Sequence, residues 1–322
     1  MTATIKTPGL AAGSRVLAFG DYRPDRVVTN DDLAATVDTN DEWIRSRVGI
    51  AERRIAADDE GIVDLGVRAG AKALAGSGLD PSDIDLVILA TCSAESPMPG
   101  HAAQVAHRLG IDAPGAFDLN AACAGFCYAL ATASAAVRTG SARNVLVIGS
   151  EKMSQWIDWT DRSTCIIFAD GAGAAVVAAS ESAGIGPVVW GSAGDKYDKI
   201  IIDDRNSFIR QEGQAVFRWA TTAIAPVALQ ACERAGVKPE DLAAIVPHQA
   251  NLRIIEAIAR KVKAANAVVA NDIVHSGNTS GASIPLAMSR MIERGDVPSG
   301  APALLVGFGA GLSYAAQVIQ IP

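Results

Sequence analysis

Gly78-Leu79-Asp80-Pro81-Ser82-Asp83-Ile84 and Gly236-Val237-Lys238-Pro239-Glu240-Asp241-Leu242 are two versions of one turn, displaced by 158 residues (236 minus 78). In each, a helical pattern (Val63 to Ala75, Ala220 to Ala235) ends at Gly-x-x-Pro, and a short apolar run (Leu86 to Ala90, Ala244 to Val246) follows as a strand. Two more anchors share the displacement. Asn120 and Asn278 each open a small-residue stretch, and Val145-Leu146-Val147-Ile148-Gly149 matches Ala303-Leu304-Leu305-Val306-Gly307. Three anchors in one order at one offset imply two copies of a single unit.

Working outward, each copy continues alike. A helix (His101 to Leu109, Leu252 to Lys263) leads to a second strand, a small-residue helix and a third strand. Strands alternating with helices predict a mostly parallel sheet covered by helices, and two such halves, 1–183 and 184–322, predict a layered α/β protein. In that architecture ligands sit at the carboxyl ends of strands and at helix N-termini.

The length of 322 residues suits two domains, and 49% hydrophobic with 20% charged residues excludes a disordered or fibrous chain. No apolar stretch approaches the roughly 20 residues of a membrane span, and Met1 to Leu10 lacks a signal-like run, so a cytoplasmic location with no membrane partner is expected. A net charge of -7 argues against nucleic acid and requires that any anionic partner meet a local basic patch. Five scattered cysteines read as free thiols.

Chemistry concentrates in three loops. In Asp118-Leu119-Asn120-Ala121-Ala122-Cys123-Ala124-Gly125-Phe126, Asn120 is a candidate N-cap, which puts Cys123 in the first turn of a helix running to Arg138. There the helix dipole would lower the thiol pKa from about 8.5, as a nucleophile requires. The alternative is a small apolar core residue, the reading kept for Cys92, Cys127, Cys165 and Cys232. Among four histidines, His248 follows directly on a strand, in Val246-Pro247-His248-Gln249-Ala250-Asn251, whereas His101, His107 and His275 read as surface or capping residues. Asn278, in His275-Ser276-Gly277-Asn278-Thr279-Ser280-Gly281, is either a capping Asn or, through the 158-residue correspondence, the counterpart of the loop that presents Cys123. Gly307-Phe308-Gly309-Ala310-Gly311-Leu312-Ser313 offers backbone N–H groups for an oxyanion. Asp170-Gly171-Ala172-Gly173 reads as a tight turn before a strand from Ala174 to Ala178, and no metal-ligand spacing occurs.

Cys123, His248 and Asn278, within Ala-Cys-Ala-Gly-Phe, Pro-His-Gln-Ala-Asn and Gly-Asn-Thr-Ser, resemble the β-ketoacyl-acyl-carrier-protein synthase III family of the thiolase superfamily. Thr39-Asn40-Asp41-Glu42-Trp43-Ile44-Arg45-Ser46-Arg47-Val48-Gly49-Ile50, Asp161-Arg162 and Gly307-Phe308-Gly309 extend the resemblance over nearly the whole chain. It implies a thiolase-like duplicated five-layer α-β-α-β-α architecture, a homodimer, and no cofactor beyond its substrates, an acyl-CoA and malonyl-ACP. Cys123 would take the acyl group from CoA, with the oxyanion held by N–H groups of Cys123 and of Gly309 or Ala310. His248 and Asn278 would stabilise the enolate left when malonyl-ACP loses CO2, and its attack on acyl-Cys123 would give 3-oxoacyl-ACP. A non-condensing acyltransferase that passes the acyl group to a small-molecule hydroxyl or amine is the alternative enzyme, and a catalytically silent scaffold the alternative of another class.

By the same resemblance Thr39, Trp43, Arg47, Arg162 and Asn251 would hold CoA, with Trp43 and Arg162 stacking on the adenine. Arg253 and Arg260 lie seven residues apart on one helix face, and with Lys261 and Arg218 they form a candidate docking patch for the acidic carrier protein. Met98 and Phe308 are candidates for the acyl pocket and its gate, Met98 from across a dimer. The segment between Gly191 and Gln211 is shorter than usual in the family, through truncation or missing residues; truncation implies a more open pocket.

Overall fold

Alternation along the central strands places the layers. Val87 and Leu89 pack with Val105, Leu146 and Ile148 in one apolar cluster, while Ile88 and Ala90 pack with Val145 and Val147 in another. A strand whose two side-chain rows both meet apolar partners is covered on both faces.

The computed structural model describes residues 10–322. The first sheet is built from β1 (Gly13–Tyr22), β2 (Leu86–Ala90), β3 (Gly115–Leu119), β4 (Asn144–Lys152) and β5 (Asp170–Ser180), in the order β1-β5-β4-β2-β3. The second uses β6 (Val189–Ser192), β7 (Ala244–Pro247), β8 (Val268–Val269), β9 (Pro302–Phe308) and β10 (Ser313–Gln320), in the order β6-β10-β9-β7-β8. Adding five to each strand number converts one sheet into the other, directions included. The pairs β4/β2, β2/β3, β9/β7 and β7/β8 are parallel, and β1/β5, β5/β4, β6/β10 and β10/β9 antiparallel.

Two expectations are corrected here. The sheets are half antiparallel, because no crossover helix returns the chain after β4 or β9 and the next strand pairs back beside it. Asp170 to Gly173 is not a turn but the buried start of β5, where the Asp170 carboxylate accepts from the backbone N–H groups of Ala56 and Ser154.

Helices α1 (Ile62–Ser77) and α2 (Ala102–Arg108) cover the outer face of the first sheet, while α4 (Gly213–Ala235) and α5 (Leu252–Val262) cover that of the second. Between the sheets lie α3 (Gly125–Arg138) and α6 (Ser283–Glu293), whose Phe126, Leu130, Ile284 and Met288 share one core with residues of both sheets. Five layers result. No helix among the described residues is long and apolar enough to cross a membrane.

Close approach at the centre depends on missing side chains. A Cβ on Gly149 would stand 2.5 Å from the carbonyl oxygen of Gly281, so glycine lets the loop before α6 lie against β4. The fully buried Arg53 donates to Val28 O, Asn30 Oδ1 and Ile166 O, and Asn30 Nδ2 in turn donates to Asp41 Oδ1 at the start of the helix Asp41–Val48.

Candidate active site

Two loops meet where the central helices begin. Asn120 Oδ1 accepts from Ala122 N–H at 3.1 Å, and Asn278 Oδ1 accepts from Ser280 N–H at 2.9 Å. Each turn forces its third residue into the left-handed region, with φ 46° at Ala122 and 48° at Ser280. Short 3-10 turns follow, Ala122–Ala124 and Ser280–Ala282, and then α3 and α6. Cys123 therefore sits in the 3-10 turn that enters α3, not in the first α-helical turn, and the N-cap of that turn is Ala121 rather than the expected Asn120, whose Oδ1 instead holds the Ala122 N–H just before Cys123.

Cys123 is buried, with 8% of the residue exposed. Burial pushes its pKa up to about 11, against the Ser280 hydroxyl 3.5 Å away and the N–H groups of Ala310 and of Cys123 itself, which pull it down. The expected dipole-lowered thiol is thus corrected: desolvation outweighs the helix terminus, so the free enzyme holds a thiol that must lose its proton to react.

Above the sulfur lies the loop after β9. A Cβ on Gly309 would stand 2.5 Å from Cys123 Cβ and 2.8 Å from Sγ, so only glycine fits. The Gly309 N–H is already donated to Ser313 O at 3.0 Å. Of the two expected oxyanion donors on this loop, Ala310 alone offers its N–H to the sulfur side, and Gly309 contributes space.

His248 follows β7 and is 1% exposed. Burial lowers its pKa to about 3, so the ring is neutral at physiological pH. Its Nδ1 lies 2.7 Å from Ser283 Oγ, which also accepts from the Gln249 N–H. The hydroxyl proton of Ser283 has no other acceptor among the described residues, so it goes to Nδ1 and the ring proton sits on Nε2. Phe308 packs edge-on against the ring at 5.4 Å. Asn278 is stitched into the backbone, its N–H donating to Ile167 O and its carbonyl accepting from Ala169 N–H. With Oδ1 occupied by Ser280, its amide NH2 remains as the donor end.

Cys123, His248, Asn278, Phe308, Gly309 and Ala310 line one cavity of about 340 Å³. Its walls are apolar, with Ile200, Ile201, Ile202 and Ile209 supplied by the short stretch after Gly191, where Ile200-Ile201 pairs with Arg210-Gln211. Asn251 lines the same cavity, caps α5 and donates from Nδ2 to Arg47 O. Arg162 stacks over Trp43 at 4.7 Å and Arg47 approaches the same ring at 5.5 Å. Of the expected CoA residues only Asn251 lines the cavity; Thr39, Trp43, Arg47 and Arg162 stand outside its lining, and Met98 is 82% exposed away from its own chain's pocket. Arg218, Arg253, Arg260 and Lys261 are all exposed, with α5 burying Ile254, Ile255 and Ile258. His275 points away, on the exposed side of a short helix.

Residues 117–194 match the family model for 3-oxoacyl-[acyl-carrier-protein (ACP)] synthase III, and residues 232–321 match the model for its C-terminal part. Over 313 residues the chain is 58% identical to β-ketoacyl-[acyl-carrier-protein] synthase III 4 of Streptomyces coelicolor, covering 96% of this chain and 99% of that one. The chain belongs to the β-ketoacyl-[acyl-carrier-protein] synthase III family. As a member it is a condensing enzyme, a transferase in the broad sense, with the thiolase fold. A mycobacterial synthase III of Mycobacterium avium is 49% identical over 95% of each chain. Among solved structures, the priming β-ketosynthase of the R1128 polyketide biosynthetic pathway superposes with a TM-score of 0.96 at 44% identity over 99% of both chains. Synthase III of Aquifex aeolicus superposes with a TM-score of 0.91 at 41% identity, covering 96% of this chain and 100% of that one.

Four site residues of this synthase III chain escaped sequence reasoning. Cys92, read as an apolar core residue, is only half-buried and lines the cavity beside Cys123. Ser283 carries no local signal. Ser280 was visible only as part of the Asn278 motif. Glu151 could have been noticed, because a carboxylate after the apolar run Val145 to Ile148 lies at the carboxyl end of a central strand, where ligands and chemistry collect.

Proposed function

We propose that this synthase III chain condenses an acyl-CoA primer with malonyl-ACP, with loss of CO2, to give 3-oxoacyl-ACP and CoA through an acyl-Cys123 intermediate. The observation that carries the reading is that a nucleophile and two neutral N–H donors line one apolar cavity: Cys123, His248 through Nε2, and Asn278 through Nδ2.

Cys123 gives up its thiol proton to a base of the site as Sγ attacks the thioester carbonyl, and recovers it when the sulfur is later expelled; the tetrahedral oxyanion is held by the N–H groups of Cys123 and Ala310. CoA departs as thiolate and takes a proton from solvent. Malonyl-ACP then loses CO2, and the enolate oxygen accepts from His248 Nε2–H and Asn278 Nδ2–H. Neutral donors suit this step, since a charged imidazolium would protonate the carbanion it is meant to stabilise. The carbanion attacks acyl-Cys123, and the sulfur leaves as thiolate.

CoA would approach along the face where Trp43, Arg47, Arg162 and Asn251 cluster, and the carrier protein would dock on Arg218, Arg253, Arg260 and Lys261. A homodimer is part of the same reading. It is supported by the free edge of strand β3, where Phe117 is 41% exposed, and by the exposed Met98.

Mass spectrometry after mixing with acyl-CoA tests the reading. An adduct on Cys123 that malonyl-ACP discharges to 3-oxoacyl-ACP is expected. Absence of the adduct removes both enzyme readings, and an adduct that malonyl-ACP cannot discharge leaves the non-condensing acyltransferase. Asn278→Ala is expected to acylate and fail to condense, and Cys123→Ala to fail in both.

A further inference from the structure

The buried carboxylate of Glu151 is unused by the mechanism above. It is fully buried at the end of β4, and no Lys, Arg or His lies within ion-pair distance of it among the described residues. Its neighbour Lys152 turns away to the carbonyls of Ala57, Asp58 and Glu60. Oε2 accepts from the hydroxyls of Thr91 and Ser93 and from Ser93 N–H, while Oε1 accepts from Gly281 N–H at 3.1 Å and faces Cys92 Sγ at 3.3 Å. Cys92 Sγ in turn lies 3.2 Å from Ser280 Oγ, which lies 3.5 Å from Cys123 Sγ. Three contacts, each within hydrogen-bond reach of a sulfur or an oxygen, join a carboxylate to the nucleophile without passing through bulk water.

We infer that Glu151 takes the Cys123 proton through Ser280 and Cys92 and stores it for the lifetime of the acyl-enzyme. The inference rests on the reading of Cys123 as the acylated nucleophile. At rest the Ser280 hydroxyl donates to Cys123 Sγ; for the relay it turns to Cys92 Sγ, the proton on Cys123 Sγ passes to the freed Ser280 Oγ, the Ser280 proton passes to Cys92 Sγ, and the Cys92 proton passes to Glu151 Oε1. Cys123 becomes thiolate, Glu151 becomes a carboxylic acid, and both links recover their protons. The relay starts from an ionised Glu151, so the network carries one negative charge before and after, whereas a thiolate formed beside a Glu151 that stayed ionised would place two charges in an enclosure that disfavours each. When the carbanion later expels Cys123 as thiolate, the proton returns by the reverse route. Burial raises the pKa of Glu151 and that of Cys92, which suits a carboxylate that gains a proton and a thiol link that stays protonated.

The test is proton counting during acylation by acyl-CoA alone, in weakly buffered solution with an indicator dye at pH 7, below the ordinary thiol value of about 8.5. With storage on Glu151, the departing CoA thiolate draws its proton from solvent. One proton is then taken up per acyl-Cys123 counted by mass spectrometry. Cys92→Ala breaks the chain without touching Glu151 or Cys123. It is expected to reduce uptake to near zero and to slow acylation by about 100-fold, the scale of a lost proton-transfer partner. Cys92→Ser retains an O–H link and is expected to restore both. Complete acylation of the wild type with no uptake overturns the relay, as does full uptake in Cys92→Ala. Failure of Cys123 to acylate at all overturns the underlying reading instead, so the two failures are distinguishable.

Discussion

Ala122 and Ser280, 158 residues apart, adopt the same left-handed conformation, with φ of 46° and 48°, under the same Asn side chain two residues before each. The two strained turns face one another across the junction of the halves, one leading to Cys123 and the other carrying Asn278. Conformations of this kind persist only where the surroundings impose them, and here the Asn Oδ1 hydrogen bond and the short turn that follows do so. A β-branched residue at φ 46° is strained further, so Ala122→Val is expected to cost about 1–3 kcal/mol in chemical unfolding, while Ala122→Gly stays within about 1 kcal/mol of wild type. Equal stability of the two variants would contradict the account.

Gly309→Ala places a methyl group 2.8 Å from Cys123 Sγ. The loop must then move away from the sulfur and carry the Ala310 N–H with it. Acylation is expected to fall by about 100-fold, the scale of one lost oxyanion donor, with circular dichroism unchanged. Normal burst acylation in this variant would show that the loop does not hold the oxyanion.

The buried His248 gives a pH signature. Its pKa is about 3 in the folded protein against an ordinary 6.5, so between those values the unfolded chain binds a proton that the native state refuses. Stability is therefore expected to fall as pH drops below 6.5, by about 1.4 kcal/mol per pH unit from this residue. His248→Asn should lose that component of the slope in urea unfolding followed from pH 6.5 to 4.5. The condensation rate constant should show no inflection near 6.5.

Trp43 and Arg162 form a stacked pair at 4.7 Å on the expected CoA face. Removing either is expected to raise KM for acyl-CoA about 2- to 30-fold, as for loss of a cation–π contact, with kcat little changed. A fall in kcat at constant KM would move both residues from binding to chemistry.

Arg253→Glu combined with Arg260→Glu reverses two exposed charges on α5 without touching its buried Ile254, Ile255 and Ile258. KM for malonyl-ACP is expected to rise about 10-fold at low salt, with the difference narrowing as salt is added. KM for acyl-CoA should stay where it is, and an equal change in both would show that the patch does not discriminate the carrier.

Much of the site was legible because its motifs are short and sit at predictable places. Cys123, His248 and Asn278 each occupy a loop at a strand end or helix start, and the 158-residue offset pairs two of those loops before any coordinate is known. The antiparallel half of each sheet was less legible, because Asp170 to Gly173 is rich in turn-forming residues and only its burial against the central core makes it a strand. Gly309 and Ala310 could not be separated from sequence either, since the distinction is the hydrogen bond from Gly309 N–H to Ser313 O.

The sequence by itself determined the duplication, the strand and helix order and the three central residues, because periodicity, capping and turn chemistry are local properties that survive translation along the chain. Tertiary structure alone decided the protonation chemistry. The thiol of Cys123 is raised rather than lowered, the imidazole of His248 is neutral with its proton on Nε2, and Glu151 reaches Cys123 through Cys92 and Ser280. Desolvation and hydrogen bonding depend on what is enclosed together, and these groups come from segments far apart in the chain that only folding brings within 3.5 Å of one another.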